Sequence, residues 1–243
     1  MRDLEISDEP GAEGGGDVPE AREDRPSLTA PVIVPRLELL RLAFPLGHHV
    51  NYVRDVSSPE WAISVELSRW LWHFMDERQV KSAIDLGSGF TSFLLREHPS
   101  TNRVLSLDND PIWREKNQKW LNAYYPDSQI ALRTVAGLAK TLKAKKQRGV
   151  DLVVLDTGPD REDSIPLAAG MLNKGGVLVL DDIHRYIYRA FCNCWAETNG
   201  WKMTLLEEET RDEFGRYAAY LERKHDGRTE KSPKMGRIPP AKG

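Results

Sequence analysis

Asp85, Gly87, Ser88 and Gly89 close a short apolar run, as SAIDLGSG, and Asp108 follows nineteen residues after Gly89 at the end of VLSLD. Glycine lets the main chain turn sharply and approach a ligand where a Cβ would collide. The amides that open the next helix face the same crevice, and Asp85, two residues before the first glycine, is expected on its rim. A carboxylate at Asp108 can accept from both hydroxyls of a ribose, with charge-assisted bonds contributing roughly 1.5–3 kcal/mol each. This chemistry suits a nucleoside-bearing cofactor.

The glycine loop discriminates between two such cofactors. A dinucleotide site has G-x-G-x-x-G, whose third glycine allows close helix–strand packing. Here the run is GSGFTS, with Ser92 in third place and Asp85 before the turn. These details favour S-adenosylmethionine over a dinucleotide.

Four strand ends carry aspartate: Asp85, Asp108, Asp156 and Asp181. One such residue is usually a cap or turn former. Four along one sheet edge repel unless a ligand or metal uses them.

The elements that must position these groups alternate. Strand-like runs lie at 82–86, 103–107, 129–134, 151–156 and 176–181, and helix-like runs at 90–97, 111–123, 137–146, 162–172 and 185–198. DLVVLD and GVLVLD are continuous apolar runs, as strands covered on both faces require. Runs 202–207 and 216–222 follow each other around Asp212–Gly215 with no helix between, and read as an antiparallel pair. The whole is a single-domain α/β Rossmann-like sheet, open and mostly parallel, with helices on both faces. Ahead of it, Ser58 and Pro59 read as the cap and first turn of a helix reaching Gln79, with Trp61 on its buried stripe. Residues 31–56 form an irregular lid segment with a short helix at 36–43, and His48 and His49 within it read as a solvated pair. The tryptophans, Trp113 and Trp120 included, read as core.

Residues 1–30 hold nine acids against three bases, and residues 223–243 seven bases against two acids. Both ends are poor in core formers and read as disordered, acidic and basic respectively, around a domain at 57–222. The net charge of −3 offers no overall basic field for nucleic acid. Cys192 and Cys194, as C-x-C in a helix, point to different faces and suit a reducing compartment. With no apolar run of membrane length, a cytoplasmic protein is the expectation, and a homodimer is compatible with it.

DLGSG at 85–89, LDND at 107–110, VVLD at 153–156 and GGVLVLDD at 175–182 resemble the class I S-adenosylmethionine-dependent methyltransferases. The resemblance implies a seven-stranded sheet of order 3-2-1-4-5-7-6 with strand 7 antiparallel. It implies that Asp85, Gly87, Ser88 and Gly89 hold the methionyl part of the cofactor, that Asp108 holds the ribose, and that Asp156 is a further cofactor contact. Asn109 and the main chain at Ala136, Gly137 and Leu138 would lie by the adenine, although TVAGLAK lacks the acidic residue often found there. SSPEWA, LDTGPDRED and LDDIH look most like the catechol and caffeoyl-CoA O-methyltransferase branch and its bacterial relatives. That likeness implies Asp156, Asp181 and Asp182 as ligands of a divalent cation, for which oxygen donors suit Mg²⁺ or Ca²⁺. Where that branch has a lysine base this chain has Pro159, leaving His184, with Asp182, as the catalytic candidate.

The expected activity is O-methylation of a small-molecule acceptor. Transfer to nitrogen or to a macromolecule stands as an alternative, as do an NAD-dependent oxidoreductase and a catalytically silent cofactor-binding module.

Overall fold

A computed structural model of the chain describes residues 44–144, 149–158 and 161–224. Among these, one sheet holds β1 (Ser82–Leu86), β2 (Arg103–Asp108), β3 (Ile130–Leu132), β4 (Val150–Leu155), β5 (Leu172–Leu180), β6 (Trp201–Leu205) and β7 (Ala219–Arg223). Their order is β3-β2-β1-β4-β5-β7-β6. The first five are parallel, and β7 runs antiparallel to both β5 and β6. This is the order and polarity the resemblance implied.

Side chains alternate between the faces of a strand, and each face here meets its own core. Leu152 and Val154 of β4 join Leu71 and Met75 of α2 (Val65–Glu77) and Phe93 of α3 (Phe90–Glu97). Val153 and Leu155 join Ile165 of α6 (Arg161–Ala169) and Cys192 of α7 (Tyr186–Thr198) on the other face. Each fully buried aliphatic side chain contributes roughly 1.5–3 kcal/mol, so the central strands anchor the sheet edge on which the site is built.

Three local expectations change. The helix expected from Ser58 starts at Val65, because Ser64 is the residue whose hydroxyl accepts from the Leu67 amide, at 3.0 Å. Ser58 instead closes one isolated turn, its carbonyl accepting from Trp61 and Ala62. Trp61 therefore leaves the buried stripe and is 79% exposed. Between β6 and β7 lies a one-turn helix, α8 (Glu207–Thr210), where none was expected.

The lid segment also differs. It carries a regular helix, α1 (Leu46–Asp55), and its histidines are not a solvated pair: His48 is half-buried. His49 is buried and its Nε2 lies 2.7 Å from the Ile63 carbonyl. The His48 ring packs 4.9 Å from Phe93 and 5.0 Å from Tyr124. The acidic segment 1–30, the lid segment to residue 43 with the helix expected at 36–43, the basic tail from residue 225, and Pro159 lie outside the described residues. The remaining helices are α4 (Pro111–Leu121) and α5 (Val135–Ala144).

Candidate active site

The glycine loop lies between β1 and α3, beside the end of β4. Gly87 has φ +96°, and a Cβ there would stand 1.9 Å from the Asp156 carbonyl oxygen. Only glycine meets both demands. Gly89 is different: its backbone is extended, and a Cβ would make an ordinary contact 3.5 Å from the Tyr52 hydroxyl.

Ser88 connects this loop to Asp108. Its amide and hydroxyl both donate to Asp108 Oδ2, at 2.9 and 2.6 Å, while the Asp110 amide donates to Oδ1 at 2.8 Å. The Ser88 carbonyl in turn accepts from Trp113 Nε1 at 2.7 Å and Asn117 Nδ2 at 3.0 Å. Tyr52 of α1 completes the chain, donating its hydroxyl to Asn117 Oδ1 at 2.6 Å. Burial, with the nearby carboxylates, pushes the Tyr52 phenol far above its usual range, so it remains a donor. Asp110 also caps α4, accepting from Ile112 and Trp113 with Pro111 at the first helical position.

Two cavities open over this edge. One, of about 690 Å³, is lined by Tyr52, Trp61, Ser88, Trp113, Asp156 and Arg161, among others. The second, of about 360 Å³, is lined by Asn109, Ala136, Asp163 and Leu167, among others. Gly87, Asp108, Asn109 and Thr157 border both, so the two meet around these residues. Each has the size of a small-molecule site.

Of the residues named from sequence, Gly87, Ser88, Gly89, Asp108, Asn109, Ala136 and Asp156 thus come together at the cavities. Gly137 and Leu138 are not among the lining residues, and Leu138 is buried in the second core. Asp85 is not on a rim. It is fully buried, with Ser92 Oγ donating to its Oδ2 at 2.5 Å, and burial pushes its carboxyl up to about 7. Ser92, in the place of a third glycine, is the partner that holds it.

The carboxylates at the β4 and β5 ends are held by Arg161. Its Nη2 lies 2.7 Å from Asp156 Oδ1 and 3.2 Å from Asp182 Oδ2. Its Nη1 donates to the Asp181 carbonyl at 3.0 Å, and its Nε donates to the Thr157 carbonyl. Asp181 turns Oδ1 onto the Asp182 amide at 2.7 Å, and Asp182 takes a left-handed backbone with φ +56°. Burial raises the Asp156 and Asp181 carboxyls, and the neighbouring guanidinium opposes the rise. His184 Nδ1 lies 3.8 Å from Asp182 Oδ1, and burial holds its imidazole below the usual value against the pull of Asp182. His184, Asp181 and Asp182 are not among the residues lining either cavity.

These residues do not fit a divalent cation. Mg²⁺ or Ca²⁺ needs several oxygens converging on one open point. Here a guanidinium nitrogen already stands between Asp156 and Asp182, and Asp181 faces a main-chain amide. Among the described residues no group of three or more His, Cys, Asp or Glu is placed to hold a metal ion.

No family model and no curated protein matches the chain. Solved structures do. An O-methyltransferase from Bacillus cereus in complex with SAH superposes with a TM-score of 0.58 at 14% identity, covering 78% of this chain and 92% of that one. The O-methyltransferase TomG from Streptomyces achromogenes, involved in tomaymycin synthesis and in complex with SAM, gives 0.58 at 19% identity, covering 72% and 87%. The chain shares the fold of these two proteins.

Within this fold, sequence reasoning missed Tyr52, Trp61, Asn117, Arg161 and Asp163. Arg161 had a readable signal, a lone base in LDTGPDRED five residues after Asp156. Tyr52 and Asn117 had none, since 65 residues separate the two ends of their hydrogen bond. Trp113, taken as core, lines the larger cavity with its indole nitrogen on the Ser88 carbonyl.

Proposed function

We propose that the chain is an S-adenosylmethionine-dependent methyltransferase acting on an oxygen of a small molecule. The observation that carries this is the Asp108 carboxylate, held by Ser88 and the Asp110 amide where the two cavities meet. A ribose bound there would send adenine into the smaller cavity, between Asn109 and Ala136. The methionyl arm would cross Gly87–Gly89 and aim the sulfonium methyl into the larger cavity.

The reaction is an in-line displacement. The acceptor oxygen attacks the methyl carbon, the carbon–sulfur bond breaks, and S-adenosylhomocysteine leaves with the electron pair. The protein holds oxygen and methyl collinear in an enclosed space, which can supply much of the acceleration. Trp61 and Trp113 offer aromatic walls for a planar acceptor. Asp156, in the same lining and with its affinity for protons raised by burial, is placed to take the acceptor's proton. Asp182 serves by holding Arg161, and no step passes through a metal.

Cys192 is buried and Cys194 exposed, both free, which suits a reducing setting. Among the described residues no helix is long and apolar enough to cross a membrane.

Calorimetry with S-adenosylhomocysteine and with NAD⁺ tests the cofactor, and transfer of labelled methyl to hydroxylated, carboxylic and amine acceptors tests the reaction. Binding of S-adenosylhomocysteine alone and methylation at oxygen are expected. Binding of NAD⁺ instead would refute the reading.

A further inference from the structure

Arg161 is 9% exposed, yet it lines the larger cavity beside Asp156. A guanidinium this far out of water requires compensation by charge and hydrogen bonds. It has both. Nη2 meets Asp156 Oδ1 at 2.7 Å and Asp182 Oδ2 at 3.2 Å, Nη1 donates to the Asp181 carbonyl at 3.0 Å, and Nε donates to the Thr157 carbonyl. The guanidinium carbon also lies 5.7 Å from the centre of the Tyr188 ring. Asp182, shared between two cations, takes Arg185 Nη2 at 3.0 Å on the same oxygen.

Each of the three nitrogens is engaged by oxygens of the β4 and β5 ends. Arginine does not deprotonate in proteins, so the charge is permanent. A second cation at the same carboxylates would meet this fixed positive charge at close range. Nor does a planar guanidinium offer the open coordination positions on which a metal chelates two adjacent oxygens.

We propose that Arg161 is the resident cation of the acceptor site, in the place a divalent metal would take, and that the site accepts molecules through a single oxygen and not through a chelating pair. This rests on the methyltransferase reading above. The acceptor class is then a molecule with an isolated hydroxyl, held against the aromatic lining. Arg161 is a positioning residue in this scheme, and transfer is independent of metal.

The test is a titration with Mn²⁺ alone, followed by electron paramagnetic resonance, on the full-length chain and on Arg161→Ala and Arg161→Lys. Wild type and Arg161→Lys should leave the free Mn²⁺ signal undiminished. Arg161→Ala, with its carboxylates uncompensated, should bind Mn²⁺ at least about tenfold more tightly than wild type, and Mn²⁺ should raise its melting temperature. Depletion of the signal by wild type, or a folded Arg161→Ala that ignores Mn²⁺, would overturn the proposal. If Arg161→Ala does not fold, the wild-type and Arg161→Lys titrations still decide. S-adenosylhomocysteine calorimetry on the same wild-type sample reports on the cofactor reading separately, because Mn²⁺ binding does not depend on it.

Discussion

Ser88 donates twice to one oxygen of Asp108, through its amide at 2.9 Å and its hydroxyl at 2.6 Å. The protein's own hydrogen bonds thereby fix the glycine loop against the end of β2, with the carboxylate between them. Such pre-ordering lowers the cost of binding.

Asp108→Ala should accordingly weaken S-adenosylhomocysteine by about 1.5–3 kcal/mol, and Ser88→Ala by about 1 kcal/mol, the scale of one lost hydrogen bond. Calorimetry reads both. Unchanged affinity in Asp108→Ala would remove the ribose assignment.

Gly87→Ala and Gly89→Ala should behave differently. At Gly87 the added methyl meets the Asp156 carbonyl at 1.9 Å on a left-handed backbone, so the variant should melt lower or fail to fold. At Gly89 the methyl fits the protein, so the melting temperature should hold while S-adenosylhomocysteine binding drops. Equal loss of stability in both variants would contradict this division of labour.

Tyr52→Phe removes the donor that satisfies Asn117 Oδ1 inside the buried network. An unsatisfied buried acceptor costs about 1–3 kcal/mol, and the loss should appear as a lower urea midpoint together with weaker cofactor binding. A midpoint equal to wild type would mean that α1 does not brace the loop.

Asp85 predicts a pH effect. Burial raises its folded pKa to about 7, from about 3.8 for a carboxyl in water. Between those values the folded chain binds more protons than the unfolded chain, so this group's stabilisation is present at low pH and lost as pH rises through about 7. Each unit of separation corresponds to about 1.4 kcal/mol. Asp85→Asn, neutral throughout, should flatten the fall in melting temperature across this window. Parallel profiles for wild type and variant would show Asp85 to be ordinary.

The fold was legible because its signals are local. DLVVLD and GVLVLD announce strands covered on both faces, the pattern seen in β4 and β5. The run FTSFLLRE marks a helix whose observed bounds, Phe90–Glu97, match the reading. Asp110-Pro111 likewise marks the start of α4, since a cap and its helix are neighbours in sequence. Ser58-Pro59 carries a similar signal and is not a helix start, because Ser64 supplies the competing cap.

By itself, the sequence determined the strand alternation, the glycine turn and the carboxylates at the strand ends. What neutralises those carboxylates was decided only in three dimensions. Asp108 turns to Ser88 and the Asp110 amide, Asp85 to Ser92, and Asp156 and Asp182 to Arg161. Charges along one sheet edge show in sequence as a repulsion to be resolved. Which partner resolves it depends on side chains that crossovers bring from separate elements into one low-dielectric crevice, where a pair at hydrogen-bond distance outweighs everything farther away.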